Sequence, residues 1–172
     1  MNKFIKIIFY IIINLFLLNA YTMAEQEKMK IGLLVPLSGT NKDLGQSIIK
    51  AVRLAIKDIN NDYIEIIPKD TASKPEKALK SALELKEQGV NIVIGPVFYN
   101  SLSNLGEIKE LTFLSLTNRT LDLPSNVISA GINSTSQFKT IKKFFELKGI
   151  KKTIFLIPMQ DFEFEIKEGV KK

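Results

Sequence analysis

The 172-residue chain has no histidine and no cysteine. Without either, the usual zinc sites, the Ser-His-Asp triad and cysteine nucleophiles are excluded. An enzyme built on this sequence would work with carboxylates, Lys, Tyr or Ser alone, and no motif arranges them for it. The missing cysteine also removes the anchor of a bacterial lipoprotein and fits an oxidising compartment in which no disulfide is used. Phosphate-binding signatures are lacking too. In "MKIGLLVPLSGTNKDLGQ" five residues separate Gly39 from Gly45, and Gly45 is followed by Gln46 and Ser47, whereas a P-loop needs four residues between its glycines and then a lysine. No G-x-G-x-x-G is present. Arginine-aromatic clusters of the nucleic-acid-binding kind are also missing, so no nucleic-acid partner and no metal or other cofactor is expected.

The chain does have a start that reads as an export signal. Lys3 and Lys6 precede an apolar run from Ile7 to Leu18, and Ala20 and Ala24 follow as cleavage positions. The run is short of the roughly 20 residues that span a bilayer, so residues 1–24 are expected to be a cleaved signal peptide. A membrane association, if any, is expected only through an uncleaved form of that segment. Those residues carry two of the 24 basic side chains and none of the 18 acidic ones, so the net charge falls from +6 to +4 on their removal. The remaining lysines are scattered among acids on the polar sides of helical patterns and read as a solvated surface.

From Lys30 strands and helices alternate. "IGLLVP" is a continuous apolar run, as in a strand covered on both faces. A helix is expected from about Leu44 to Asn60, with Leu44, Ile48, Ala51, Val52, Ala55 and Ile59 on one side. "YIEIIP" is a second strand. Ser73, three residues before Glu76 with Pro75 between them, reads as a capping box for a helix that Gly89 stops. "NIVIGP" gives a third strand, 101–111 a third helix, "TFLSL" and "NVISAG" two further strands. A helix with Phe138, Phe144 and Phe145 in its core follows, then a sixth strand "KKTIFLIP" and the opening of one more helix. The order implies an α/β, doubly wound, Rossmann-like parallel sheet. The ligand crevice of such a sheet lies beyond the carboxyl ends of its strands. Those ends are "PLSG", "KDTAS", "GPVFYN" and "LTNRT", which makes Ser38 and Gly39 one wall of a cleft.

The succession "PLSG"-x-x-x-x-"LGQ", "PKDTASKPEKA", "ELKEQGVNIVIGPVF" and "FLSLTNRT" resembles the type 1 periplasmic binding protein fold of the leucine-binding kind. Within that fold it is most similar to the penicillin-binding protein activators, whose "GPLF" and "S-T-(D/N)-R" turns correspond to "GPVF" at 95–98 and "LTNR" at 116–119. The resemblance implies a first lobe over 25–131 and the beginning of a second lobe over 132–172, the chain reading as truncated. It also implies a periplasmic, non-catalytic protein that activates peptidoglycan synthesis through contact with a cell-wall synthase or other envelope protein. The alternative it implies is the substrate-binding component of an amino-acid ABC transporter, with a small molecule such as an amino acid as ligand.

In amino-acid-binding relatives the turns after the third and fourth strands hold the ligand, which maps onto Tyr99, Asn100, Ser101, Thr117, Asn118 and Arg119. The bulk of Tyr99 and the charge of Arg119 depart from the small residues that would hold a free branched-chain amino acid. Each position also has a plainer role: Ser38 and Gly39 as a strand-to-helix turn, Tyr99 as cover for the core edge, and Arg119 in a salt bridge to Asp122 or Asp70. Asp70 itself reads as a cap for the loop before the Ser73 helix.

Overall fold

The computed structural model describes residues 27–157, 159 and 163–171, with residues 3–5 and 9 in short helical pieces. The expected signal segment therefore lies almost wholly outside the described residues. Among those described, no helix is long and apolar enough to cross a membrane.

Five parallel strands, β1 (Met29–Val35), β2 (Ile64–Asp70), β3 (Ile92–Ile94), β4 (Thr112–Ser115) and β5 (Val127–Ser129), form one sheet in the order β2-β1-β3-β4-β5. Leu33 of β1 is paired with Pro68 on one side and Ile94 on the other, which makes β1 the point where the strand order reverses. All five carboxyl ends lie along one edge as a result, and the loops of that edge build the site.

Helix α1 (Lys42–Ile59) follows β1. A Cβ on Gly45 would stand 1.8 Å from the Pro36 carbonyl oxygen, so "LGQ" needs its glycine to bring the first turn of the helix against the strand end. Leu44 and Ile59 of the apolar side are 43% and 58% exposed, so this helix covers the sheet less fully than its pattern implies. Helix α2 (Pro75–Glu87) packs far more closely. Ala78, Ala82 and Leu85 are fully buried, the last two in one cluster with Leu34, Val93, Leu102, Leu105, Leu111 and Phe113. Its end is a Schellman motif: Gly89 has φ +77° and donates to Lys86, while Val90 donates to Leu85.

Four expectations are corrected. The capping box at Ser73 does not form. Asp70 accepts from the Ala72 amide, Ala72 and Ser73 take positive φ, and the cap position falls to Lys74, held extended by the proline after it.

The helix expected over 101–111 is instead a pair of 3-10 turns, Tyr99–Ser101 and Ser103–Glu107. Its buried residues Leu102, Leu105, Ile108 and Leu111 recur at every third position, the period of a 3-10 helix and not of an α-helix. The amides of Leu105, Ile108 and Leu111 each donate three residues back, and the Asn126 side-chain amide caps the carbonyls of Leu105, Ile108 and Leu111.

The sixth strand is absent among the described residues: 151–157 is irregular, with Ile154 89% and Leu156 95% exposed. A strand needs a neighbour to satisfy its backbone groups, and among the described residues no strand pairs with this segment. Helices α3 (Ser134–Leu147) and α4 (Glu163–Lys171) pack on each other. Asn133 caps α3 by accepting from the Ser136 amide. The phenylalanines expected in its core are at best half-buried, with Phe138 meeting Phe155 edge to face at 5.2 Å and Phe144 51% exposed.

Candidate functional site

Two clusters of polar side chains stand at the carboxyl edge of the sheet. The first joins β1 to β2. Gly39 turns the chain with φ +79°, a conformation that costs glycine little. Asp70, the last residue of β2, accepts from the Leu37 amide at 2.7 Å, from the Ser38 amide at 3.2 Å and from the Ser38 hydroxyl at 2.6 Å. It also accepts from the Ala72 amide at 2.8 Å and pairs with Lys77 of α2. Burial pushes the Asp70 carboxyl up, but the bonds from Lys77, Ser38, Ala72 and Leu37 outweigh it and hold the group well below the usual carboxylate range. The expectation that Asp70 caps this loop is met. Ser38 and Gly39 sit exposed beside it, and the Ser38 hydroxyl is already engaged.

The second cluster grows from β3 and β4. A Cβ on Gly95 would stand 2.2 Å from the Leu34 carbonyl oxygen, so this turn closes directly over β1. The Ser115 hydroxyl donates to the Pro96 carbonyl at 2.9 Å and accepts from the Thr117 amide at 3.3 Å, tying the "GPVF" turn to the "LTNR" turn. Thr117 is buried, its hydroxyl accepting from the Arg119 amide and its carbonyl accepting from the Ser129 hydroxyl. These bonds aim Arg119 across to Tyr99, whose ring centre lies 4.0 Å beneath the guanidinium carbon. A cation over an aromatic face contributes about 0.5–2 kcal/mol.

Arg119 has a partner from far along the chain. Its Nε lies 3.6 Å from Glu165 Oε2 of α4, an ion pair longer than a hydrogen bond. That nitrogen makes no hydrogen bond among the described residues. The other carboxylate oxygen, Glu165 Oε1, accepts from the Thr120 amide at 2.6 Å, the Leu121 amide at 2.9 Å and the Thr120 hydroxyl at 3.5 Å. Glu165 is 8% exposed. Its backbone carbonyl accepts from the Ser134 hydroxyl, and Gly169 lets α4 lie close to Phe138. A hollow of about 260 Å³ opens beside this carboxylate, lined by Asn118, Ser134, Gln137, Phe138 and Phe155 among others.

Of the positions singled out in the sequence, Tyr99, Thr117 and Arg119 come together, and Asn118 borders the hollow next to them. Ser38 and Gly39 belong to the separate Asp70 cluster. Asn100 is exposed, and Ser101 is buried to 1%. Arg119 pairs with neither Asp122 nor Asp70; its carboxylate is Glu165. Nothing local in "DFEFEIKEG" marks that residue, because its partners lie 44 and 45 positions earlier. Among the described residues, no group of three or more acidic side chains is placed to hold a metal ion.

A family model described as periplasmic binding protein matches residues 28–172. None of the curated proteins compared matches the chain in sequence. Solved structures with the same fold include LpoA of Haemophilus influenzae. Its full-length form is 20% identical with a TM-score of 0.66, over 90% of this chain and 29% of that one. Its C-domain, described as a regulator of PBP1A, is 20% identical with a TM-score of 0.65, over 82% of this chain and 44% of that one. The leucine-binding protein LivK of Thermotoga maritima is 17% identical with a TM-score of 0.58, over 83% and 44% respectively. A solute-binding protein of an R. palustris ABC transporter, solved with benzoate, is 21% identical with a TM-score of 0.56, over 84% and 44%. The chain spans less than half the length of each of these proteins.

Proposed function

This chain belongs to the periplasmic binding protein family, and we propose that within it the chain is a non-catalytic periplasmic domain that activates peptidoglycan synthesis by contacting a cell-wall synthase. One observation carries the reading: the Ser38 and Thr117 hydroxyls and the Arg119 guanidinium at the strand ends already have partners within the chain. A pocket for a free amino acid needs donors and acceptors left open for an ammonium and a carboxylate. Here the Ser38 hydroxyl is bound by Asp70, the Thr117 hydroxyl by the Arg119 amide, and Arg119 by Tyr99 and Glu165. Likeness to LpoA, a regulator of PBP1A, supports the same reading by analogy of fold.

The test is association of the purified protein with a bifunctional peptidoglycan synthase, measured by surface plasmon resonance together with the rate of glycan polymerisation. Binding with a raised rate is expected; a synthase that neither binds nor responds would end the proposal.

A second reading, the substrate-binding component of an amino-acid ABC transporter, is favoured by the hollow beside Asn118 and Glu165 and by the fold shared with LivK. Calorimetry with a panel of the twenty amino acids separates the two. Tight binding of any one of them places transport above activation.

A further inference from the structure

We propose that the exposed basic and apolar surface of 139–156, made by α3 and the segment after it, docks on an anionic lipid bilayer. The proposal goes beyond the regulatory reading and does not rest on it.

Between 139 and 152 the chain carries six lysines, Lys139, Lys142, Lys143, Lys148, Lys151 and Lys152, against the single acid Glu146. The lysines around α2 are matched to acids, Lys69 to Glu84, Lys77 to Asp70 and Lys86 to Glu110. None of the six forms an ion pair or a side-chain hydrogen bond among the described residues. The pattern of the whole chain scatters its lysines among acids; over this stretch the positive charge stands uncompensated. Every residue from 139 to 156 other than Phe145 is exposed, and Phe144, Leu147, Ile150, Ile154 and Leu156 are among them. On α3, Lys139, Lys143 and Leu147 stand four apart and Phe144 three before Leu147, so cations and apolar groups share one face. Past the helix, Lys148, Lys151 and Lys152 run alongside Ile150, Ile154 and Leu156. A hollow of about 370 Å³ adjoins them, its lining including Phe145, Ile150 and Phe155 together with Lys142 and Lys151.

Charge decides between the occupants of such a surface. A second copy of the chain, meeting this face with the same face, sets six lysines against six, and like charges across an interface repel. A soluble polyanion satisfies the lysines but leaves Ile154 and Leu156 in water. An anionic bilayer takes both: its headgroups attract the cations, and the boundary with the acyl chains accepts the apolar side chains. Each lysine close to such a surface strengthens binding by about fivefold, and the exposed aliphatic and aromatic groups add a part that salt does not screen. The contact is separate from any that the leader segment makes.

The test is co-sedimentation of the whole protein with vesicles of phosphatidylglycerol mixed into phosphatidylcholine, and with vesicles of phosphatidylcholine alone. Wild type should bind the anionic vesicles at least about tenfold more tightly, and raising sodium chloride from about 50 mM to about 500 mM should remove most of that advantage. The triple variant Lys139→Gln, Lys143→Gln, Lys148→Gln should lose about a hundredfold in affinity for the anionic vesicles. The matching Lys→Arg triple keeps the charge and should bind as wild type does, which separates loss of charge from loss of fold. Leu147→Ser with Leu156→Ser should weaken vesicle binding at both salt concentrations while leaving attraction to soluble polyphosphate unchanged. All these chains carry the same leader, so its contribution cancels in the comparison. Equal binding of wild type to the two kinds of vesicle would overturn the proposal. So would a Lys→Gln triple that binds as wild type, or serine variants that bind vesicles unchanged, the mark of a polyanion site. No synthase enters these assays, so their failure leaves the regulatory reading standing.

Discussion

Asp70 concentrates more polar contacts than any other residue of the first cluster, and its low carboxyl pKa links stability to pH. The folded protein holds this group deprotonated below the range where the unfolded chain would take up a proton. Its contribution is therefore fully present above the ordinary carboxylate range and is lost as pH falls through that range toward the depressed folded value. Asp70→Asn keeps the shape but removes the charge, and should cost about 1–3 kcal/mol at pH 7, toward the lower end because a quarter of the side chain still reaches water. Urea denaturation at pH 7 and pH 3 checks both parts: the variant should lose stability at pH 7 and show a flatter decline on acidification. Ser38 was legible as part of this edge because a Ser-Gly turn after an apolar strand is a local signal. Glu165 was not, because a glutamate acquires its role only when a distant turn presents amides to it.

Elements were legible where one local rule governs them and misread where two compete. Helix α1, α2 and its glycine stop, and the five strands follow from apolar periodicity and end signals. The segment expected as a helix over 101–111 winds as 3-10 turns, and its buried Leu102, Leu105, Ile108 and Leu111 are spaced by a strict three. The Asn126 amide, which bonds the carbonyls of Leu105, Ile108 and Leu111, selects the tighter winding from outside the segment. Asn126→Ala should remove one donor from each carbonyl, leaving Leu105 and Ile108 only the backbone amides three residues on, and cost about 1–3 kcal/mol, read as a lower midpoint in urea with the same slope. Gly45→Ala tests the other end of the lobe. With 1.8 Å between the new Cβ and the Pro36 carbonyl oxygen, α1 must shift, and a loss of at least about 2 kcal/mol is expected. A thermal midpoint within about 1 °C of wild type would show that the helix already floats free of the strand end.

At the scale of the whole molecule, stability is uneven. The buried apolar cluster lies entirely between Leu34 and Val127, whereas α3 has no buried residue and its followers leave Ile154, Leu156 and Met159 almost fully exposed. Regions with few buried apolar contacts open at lower free energy than the core. Native-state hydrogen exchange should find amides of 92–94 and 112–115 protected to the global limit and those of 134–147 exchanging at least about tenfold faster. Uniform protection would mean that the two parts unfold as one.

The sequence by itself determined the parallel α/β sheet and the edge on which its polar turns gather. Apolar runs of strand length separated by amphipathic helices admit few other arrangements, and the absence of His and Cys had already excluded the Ser-His-Asp triad, cysteine nucleophiles and the usual zinc sites. The tertiary structure alone decided which groups at that edge are free. Whether Arg119 faces solvent, an aspartate or Glu165 depends on contacts between residues about 45 positions apart, and hydrogen bonding at that range has no signature in local pattern.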